Sequence, residues 1–470
     1  MLFQTLEFFS FFIIFFFLYN FSSLRIQNVL LLLAGCFFYS TWSLKTLPIL
    51  LFSIFFNFYG AVYLRSLERT TYKKHLLTFL IFLNLFFLIL FKYFIFFSII
   101  VKDIIHIFEP GINLPLSLQL LLPVGISFYT FHNISYLVDV YHEKIPLCKN
   151  LLHYSIYEIF FPLLLAGPIE RAEKLIPQIE NKRIVDRDKL VSGFLLISEG
   201  IFKKAFVADN LALLVDSCLS VPEEYSLKLY ILVSTIFAIQ LYADFSAYTD
   251  LARGLARLLG FELSSNFNVP YISSNPSEFW RRWHISLSTW LRDYIYIPLG
   301  GNRIGLLRQN INLMIVWMLG GLWHGGTYGY LLWGISCGVQ VVAYNSIKTV
   351  IYNFTNVYLK LVLKFLGVLT TFYLFAFGIL LFRVDSLSHY VNFFRIQGGF
   401  DYTIDLYLKL LLYSFPIFVF DILRIYNKSE ELYYKSKMNP IIIILLYILF
   451  SILYMLLASF DKKDFFYFRF

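Results

Sequence analysis

The sequence predicts an all-α polytopic membrane protein. Three observations carry this. First, 59% of the 470 residues belong to the aliphatic and aromatic set and only 15% are charged; Phe alone supplies 54 positions and Tyr 34. A globular domain is about 45–50% apolar and about 25% charged, so this chain is too apolar to be one, and it is far from the composition of a disordered chain. Second, the apolar residues fall in runs: 8–21, 29–39, 47–64, 76–100 and 114–141, then 156–166, 190–214, 229–242, 313–322, 330–344, 361–382, 406–422 and 441–457. A spanning helix takes about 20 residues, so the length admits roughly ten to twelve spans. Third, the connections between runs are the basic parts of the chain.

The first run is expected to be a span and not a cleaved leader, because no basic stretch precedes it and no small-residue cleavage site follows it. Runs 156–166 and 313–322 are too short to cross a bilayer. They predict re-entrant or broken helices, which membranes tolerate only inside protein or beside a wet cavity. The net charge of +9 reads as basic cytoplasmic loops and not as nucleic-acid binding. Arg65, Arg69, Lys73 and Lys74 form one such loop, six Lys/Arg between Arg171 and Lys189 a second, and Arg281, Arg282, Arg292, Arg303 and Arg308 a third. Counting back three spans from the first places the N-terminus outside. Cys36, Cys148, Cys218 and Cys337 lie too far apart to indicate a metal site or a disulfide framework.

Polar residues concentrate between Gln240 and Trp333, with six of the seven tryptophans. Polar groups in apolar helices are costly, which makes them functional candidates. Ser246, Asp250, Arg253 and Arg257 share one helix face, where Asp250 can pair with Arg253; Gln240, Asp244 and Tyr248 form a second stripe. A structural ion-pair seam accounts for this pattern as well as a chemical role does. Further on, Asn275 suits an N-cap, Pro276 the first helical position and Glu278 a capping-box acid. Trp280, Trp283, Leu287, Trp290 and Leu291 then recur at helical spacing. They predict one amphipathic helix over 276–293 at the membrane interface. His284 projects onto its buried face, either as a satisfied core histidine or as a working one. His324 lies among Gly320, Gly321, Gly325 and Gly326, which let helices or a ligand approach the backbone. It reads as a packed histidine or as a titratable group held in the membrane. His75, His106, His132, His142, His153 and His389 are scattered and read mostly as loop or interface residues.

With these residues in view, the chain resembles the membrane-bound O-acyltransferase family. The likeness is greatest to its bacterial alginate O-acetyltransferase branch, with the teichoic-acid D-alanyl transferase as a cousin. The matching stretches are Pro123-Val-Gly-Ile-Ser-Phe-Tyr-Thr-Phe, Ser135-Tyr-Leu-Val-Asp-Val-Tyr, Phe161-Pro…Ala-Gly-Pro-Ile, Asp244-Phe-Ser-Ala-Tyr-Thr-Asp, Phe279-Trp-Arg-Arg-Trp-His…Pro-Leu-Gly-Gly-Asn-Arg303 and Gly320-Gly-Leu-Trp-His-Gly. Ala247, where the branch often has Gly, and Gly326-Thr-Tyr-Gly, where Ala and Trp are common, depart from the pattern.

The resemblance implies a single membrane domain over 1–470: N-terminal spans in 1–110, a catalytic core in 111–345 and C-terminal spans in 346–470, with broken helices around a central funnel. It implies acyl transfer from a cytoplasmic thioester (acyl-CoA or an acyl-carrier protein) to hydroxyls of an exported or cell-surface polysaccharide. His324 matches the catalytic histidine and His284 the helper. Neither a metal nor a bound cofactor is implied, because a thioester is already activated. The Arg281 and Arg282 guanidiniums suit the phosphates of such a donor. Trp323, Asp244 and Ser246 are further candidates for substrate binding. An extracytoplasmic SGNH-type partner and a location in the cytoplasmic (inner) membrane are implied in the same way. D-Alanyl transfer from a carrier protein is an alternative. A sugar transporter is another, and it would explain the intramembrane Asp244 and Asp250 but not the Trp-His-Gly-Gly segment.

Overall fold

The computed structural model describes residues 1–108, 121–164, 167–220, 222–352, 356–384, 387–395, 399, 402–429, 431, 439–458 and 465. Among these the chain is helical, and the one β feature is a single bridge between Phe267 and Trp283. Five helical segments are long and apolar enough to cross a membrane: Leu24–Ser66, Thr70–Ile105, Leu227–Leu258, Val357–Phe382 and Ile404–Asn427. The protein is therefore polytopic and all-α, as the runs predict. The chain divides into two compact units. The first comprises Met1–Leu190 with Leu255–Leu263, and the second Val191–Gly254 with Ser264–Phe470.

The first unit is built on phenylalanine. Phe8, Phe12 and Phe15 recur along the helix Leu6–Asn20 and meet Phe161, with the Phe15 and Phe161 rings 5.6 Å apart edge to face. Such ring pairs contribute beyond their burial. Gly35 lets the helix Leu24–Ser43 press against the chain at Ile159, since a Cβ there would stand 2.3 Å from the Ile159 carbonyl oxygen. The short run at 156–166 behaves as its length requires. The helix Leu151–Ile159 ends at Phe160, and at 1.5 Å per residue its nine residues cover only about 14 Å. Residues 165–166 of that run, and 114–120 of the run before it, lie outside the described residues.

Several polar groups inside this unit bond one another. Asn57 and Asn84 exchange hydrogen bonds of 3.1 and 2.7 Å. The Arg183 guanidinium donates to Asn28 at 2.8 Å. His132 corrects the reading of the scattered histidines. It is buried on the helix Ile126–Tyr141 and stacks on Tyr157 at 5.1 Å.

In the second unit two runs prove longer than their apolar stretch. Run 229–242 lies within the helix Leu227–Leu258, whose 32 residues are almost wholly buried in protein. Run 313–322 lies within the helix Leu306–His324, which is longer than the apolar stretch. Asn312, buried on that helix, donates to the Leu299 and Gly301 carbonyls at 3.1 Å each. Run 190–214 is helical but carries a π-turn at Lys203–Ala208.

Candidate active site

His324 is placed by glycine. The helices Leu306–His324 and Tyr328–Tyr352 pack backbone on backbone. A Cβ on Gly321 would lie 2.4 Å from the Tyr330 carbonyl oxygen, and one on Gly334 would lie 2.4 Å from that of Trp317. His324 is the last residue of its helix, and Gly325 leaves it in an extended conformation.

His284 is placed by a break. The Trp spacing predicts one helix over 276–293, but there are two, Pro276–Arg282 and Ile285–Leu291. Trp283 is extended and His284 is left-handed, with φ of 42°. A distant segment supplies the hydrogen bonds that the helix gives up. The Asn268 N–H donates to the Arg282 carbonyl and the Ile285 N–H to the Asn266 carbonyl, each at 3.0 Å. The Ser286 hydroxyl donates to Asn266 Oδ1 at 2.6 Å. A left-handed histidine is uncommon and is held only where its surroundings over-determine it.

The expected cap is present, with one change. Asn275 Oδ1 accepts from the Glu278 N–H at 2.9 Å, and Glu278 reaches back to the Ser274 N–H at 3.0 Å, one residue beyond the usual capping box. Burial works against the Glu278 carboxylate, but the Ser274 bonds and the Arg282 guanidinium outweigh it and hold the acid below its ordinary range.

The two histidines come together. Their ring centroids are 6.4 Å apart, and both side chains are buried. Aromatic rings hold them. Phe245 meets His284 edge to face at 4.8 Å, and Trp333 meets His324 likewise at 5.1 Å. Phe382 is 5.2 Å from His324, and Trp323 touches both histidines, at 5.6 and 5.0 Å. A small cavity opens onto the two imidazoles, walled by Trp280, Leu287, Leu291, Trp317 and Gly320 among others. Imidazoles at this spacing can address two atoms of one reacting group, one taking a hydroxyl proton and the other supporting developing charge on oxygen. Among the described residues no group of three His, Cys, Asp or Glu is placed to hold a metal ion.

The other expected residues lie elsewhere. Arg281 is exposed, and Arg282 pairs with Glu278 at 3.0 Å. Asp244 is bonded to Lys204 at 2.8 Å, and the Ser246 hydroxyl donates to the Ala243 carbonyl of its own helix at 3.4 Å. Neither lines the histidine cavity. Asp250 and Arg253 make their shortest ion pairs at longer range in the chain. Asp250 bonds Lys203 at 2.6 Å, while Arg253 bonds Glu431 at 2.7 Å. Lys203 also holds Glu199 at 2.5 Å, and Arg424 joins Glu199, Asp250 and Asp421. This buried ion cluster around the π-turn was not read from the sequence beyond Asp244, Asp250 and Arg253. Its signal was two adjacent lysines inside an apolar run.

Comparison with known proteins agrees with this picture. The family model for MBOAT, the membrane-bound O-acyltransferase family, matches residues 33–383. The chain is 38% identical to the probable alginate O-acetylase of Pseudomonas aeruginosa over 372 residues, covering 79% of this chain and 69% of that protein. It is 30% identical to the peptidoglycan O-acetyltransferase of Helicobacter pylori, covering 94% of this chain and 91% of that protein. It is 27% identical to the teichoic acid D-alanyltransferase of Bacillus subtilis, over 57% of this chain and 70% of that protein. The match spans both histidines and most of the chain, and the protein belongs to the membrane-bound O-acyltransferase family of acyl-transferring enzymes.

Proposed function

We propose that this enzyme moves an acetyl group from a cytoplasmic thioester toward hydroxyls of an exported or cell-surface polysaccharide. The observation that carries the reading is the buried histidine pair, 6.4 Å apart in an aromatic enclosure. Relatives at 30% identity or more bear names of O-acetylating proteins, of alginate in one case and of peptidoglycan in another. In this reading His324 takes the proton of the acceptor hydroxyl as its oxygen bonds the thioester carbonyl carbon. The C–S bond then breaks, and the proton passes from His324 to the leaving sulfur. General-base catalysis of this kind contributes roughly 10²–10⁴-fold. His284 orients the reacting group from the opposite side. Because the thioester is activated, the reading calls on no bound metal or cofactor.

The donor is acyl-CoA or a carrier-protein thioester, arriving at the exposed Arg281, Arg292, Arg303 and Arg308, with Arg282 beside them. The enzyme sits in the cytoplasmic membrane with its N-terminus outside, and an SGNH-type partner there completes the transfer. The teichoic-acid relative supports a second reading, D-alanyl transfer, at lower identity and coverage. Purified protein in lipid nanodiscs, offered isotope-labelled acetyl and D-alanyl thioesters with polysaccharide acceptors, separates the two by the mass of the ester formed. Acetyl ester formation that depends on His324 supports the first reading; D-alanyl ester alone would replace it with the second.

A further inference from the structure

We propose that Leu291 and Trp317, closing over Gly320, restrict the acyl group handled at the histidine pair to two carbons. This rests on the acyl-transfer reading above and goes on to say which donors it admits. The cavity that opens onto His284 and His324 measures about 10 Å³, close to the room one water-sized group needs. An acetyl methyl is of that size.

The far wall is what makes the cavity small. Trp280 and Trp317 have ring centroids only 4.3 Å apart, so the indoles leave no slot between them. Trp333 packs across Trp280 at 5.7 Å. Opposite, a Cβ on Gly320 would lie 3.2 Å from Leu291 Cδ1 and 4.0 Å from the Trp317 ring. Leu291 therefore already closes the space beside the glycine, and a longer acyl chain meets Leu291 there. Leu291 and Leu287 are themselves buried, at 2% and 6% exposure. Interiors packed to this density do not absorb an added methylene freely.

A propionyl or butyryl group must displace Leu291 or an indole ring. One methylene in an apolar pocket changes selectivity roughly 10–200-fold. A D-alanyl group is longer than acetyl and carries an ammonium, so the same wall discriminates against it.

The test is a competition. Wild-type protein in nanodiscs receives an equimolar pool of acetyl, propionyl and butyryl thioesters, as CoA and as phosphopantetheine esters, and the acyl products are counted by mass spectrometry. Product ratios do not depend on the fraction of folded enzyme. The wild type is expected to favour acetyl over propionyl by at least about tenfold, and Leu291→Ala to raise the propionyl-to-acetyl ratio by at least about tenfold. Leu287→Ala, on the same wall, should raise the ratio in the same direction and stands in if Leu291→Ala does not fold. Gly320→Ala should lower acetyl transfer without raising that ratio. A wild type that takes propionyl as readily as acetyl, or leucine variants with the wild-type ratio, overturns the length limit and leaves the acyl-transfer reading standing. A folded wild type that transfers none of the pool overturns both.

Discussion

The second unit holds two buried polar regions that solve the same problem in opposite ways. Around Lys203 and Lys204, charge is matched by charge: Glu199, Asp209, Asp244 and Asp250 each lie within 3.0 Å of a lysine ammonium nitrogen. Around His284 and His324, the polar groups are set among ring faces and edges. A carboxylate already bonded to an ammonium group is committed to holding helices together. An imidazole positioned by aromatic packing keeps its chemistry. In the proposed reading the difference separates residues that make the fold from residues that work in it, and of the ion cluster only Asp244 and Asp250 stood beside the histidines among the sequence candidates.

Substitutions sharpen that contrast. His324→Ala should lower acyl transfer by roughly 10²–10⁴-fold with only a small fall in melting temperature from the lost ring contacts, read by turnover and thermal unfolding on the same sample. Lys203→Met should do the reverse. Leaving Glu199 and Asp250 buried without their shared ammonium costs about 3–5 kcal/mol, so the yield of folded protein and the melting temperature fall while turnover per folded molecule survives. His284→Ala lies between them, losing activity and, through the packing with Phe245 and Trp323, some stability. A melting temperature that falls as far as for Lys203→Met would move His284 to the structural side.

Effects at the surface are smaller. Arg281→Ala should raise the donor KM several-fold and soften its salt dependence, with the fold untouched. Unchanged donor kinetics would leave the arginine cluster as a topology signal only. Cysteines placed at Tyr72 and Lys182, in a chain stripped of its four native ones, should resist an impermeant reagent added outside intact cells. Labelling there would reverse the orientation. The smallest effect is on pH. Because the Glu278 acid is held below its ordinary value of 4.5, its cap stabilises fully above that value and fades as pH falls through the lowered one. Glu278→Gln should flatten that limb of an acid unfolding curve.

What sequence revealed was local. The Asn275 cap, the Pro276 helix start and the burial of the Trp stripe follow from spacing within a turn or two. The break at His284 did not, because Trp280, Trp283, Leu287 and Trp290 keep helical spacing straight through it. The strands of backbone that replace the lost hydrogen bonds come from Asn266 and Asn268. The shortest ion pair of Asp250 escapes spacing for the same reason. Arg253, three residues on, is the evident partner by helix geometry, while the actual one, Lys203, is 47 positions away. The length of the helix carrying His324 was hidden by Asn310 and Asn312, since nothing near them in sequence announces the carbonyls that satisfy Asn312. Long-range partners decided each of these points, and spacing contains no record of them.

The most direct test of the central claim is one assay on three proteins. Wild type, His324→Ala and Lys203→Met are given a labelled acetyl thioester and a polysaccharide acceptor, with turnover expressed per folded molecule. The account predicts turnover lost in His324→Ala and kept in Lys203→Met. Turnover kept in His324→Ala would contradict it, and if Lys203→Met were then the inactive one, the chemistry would belong to the ion cluster.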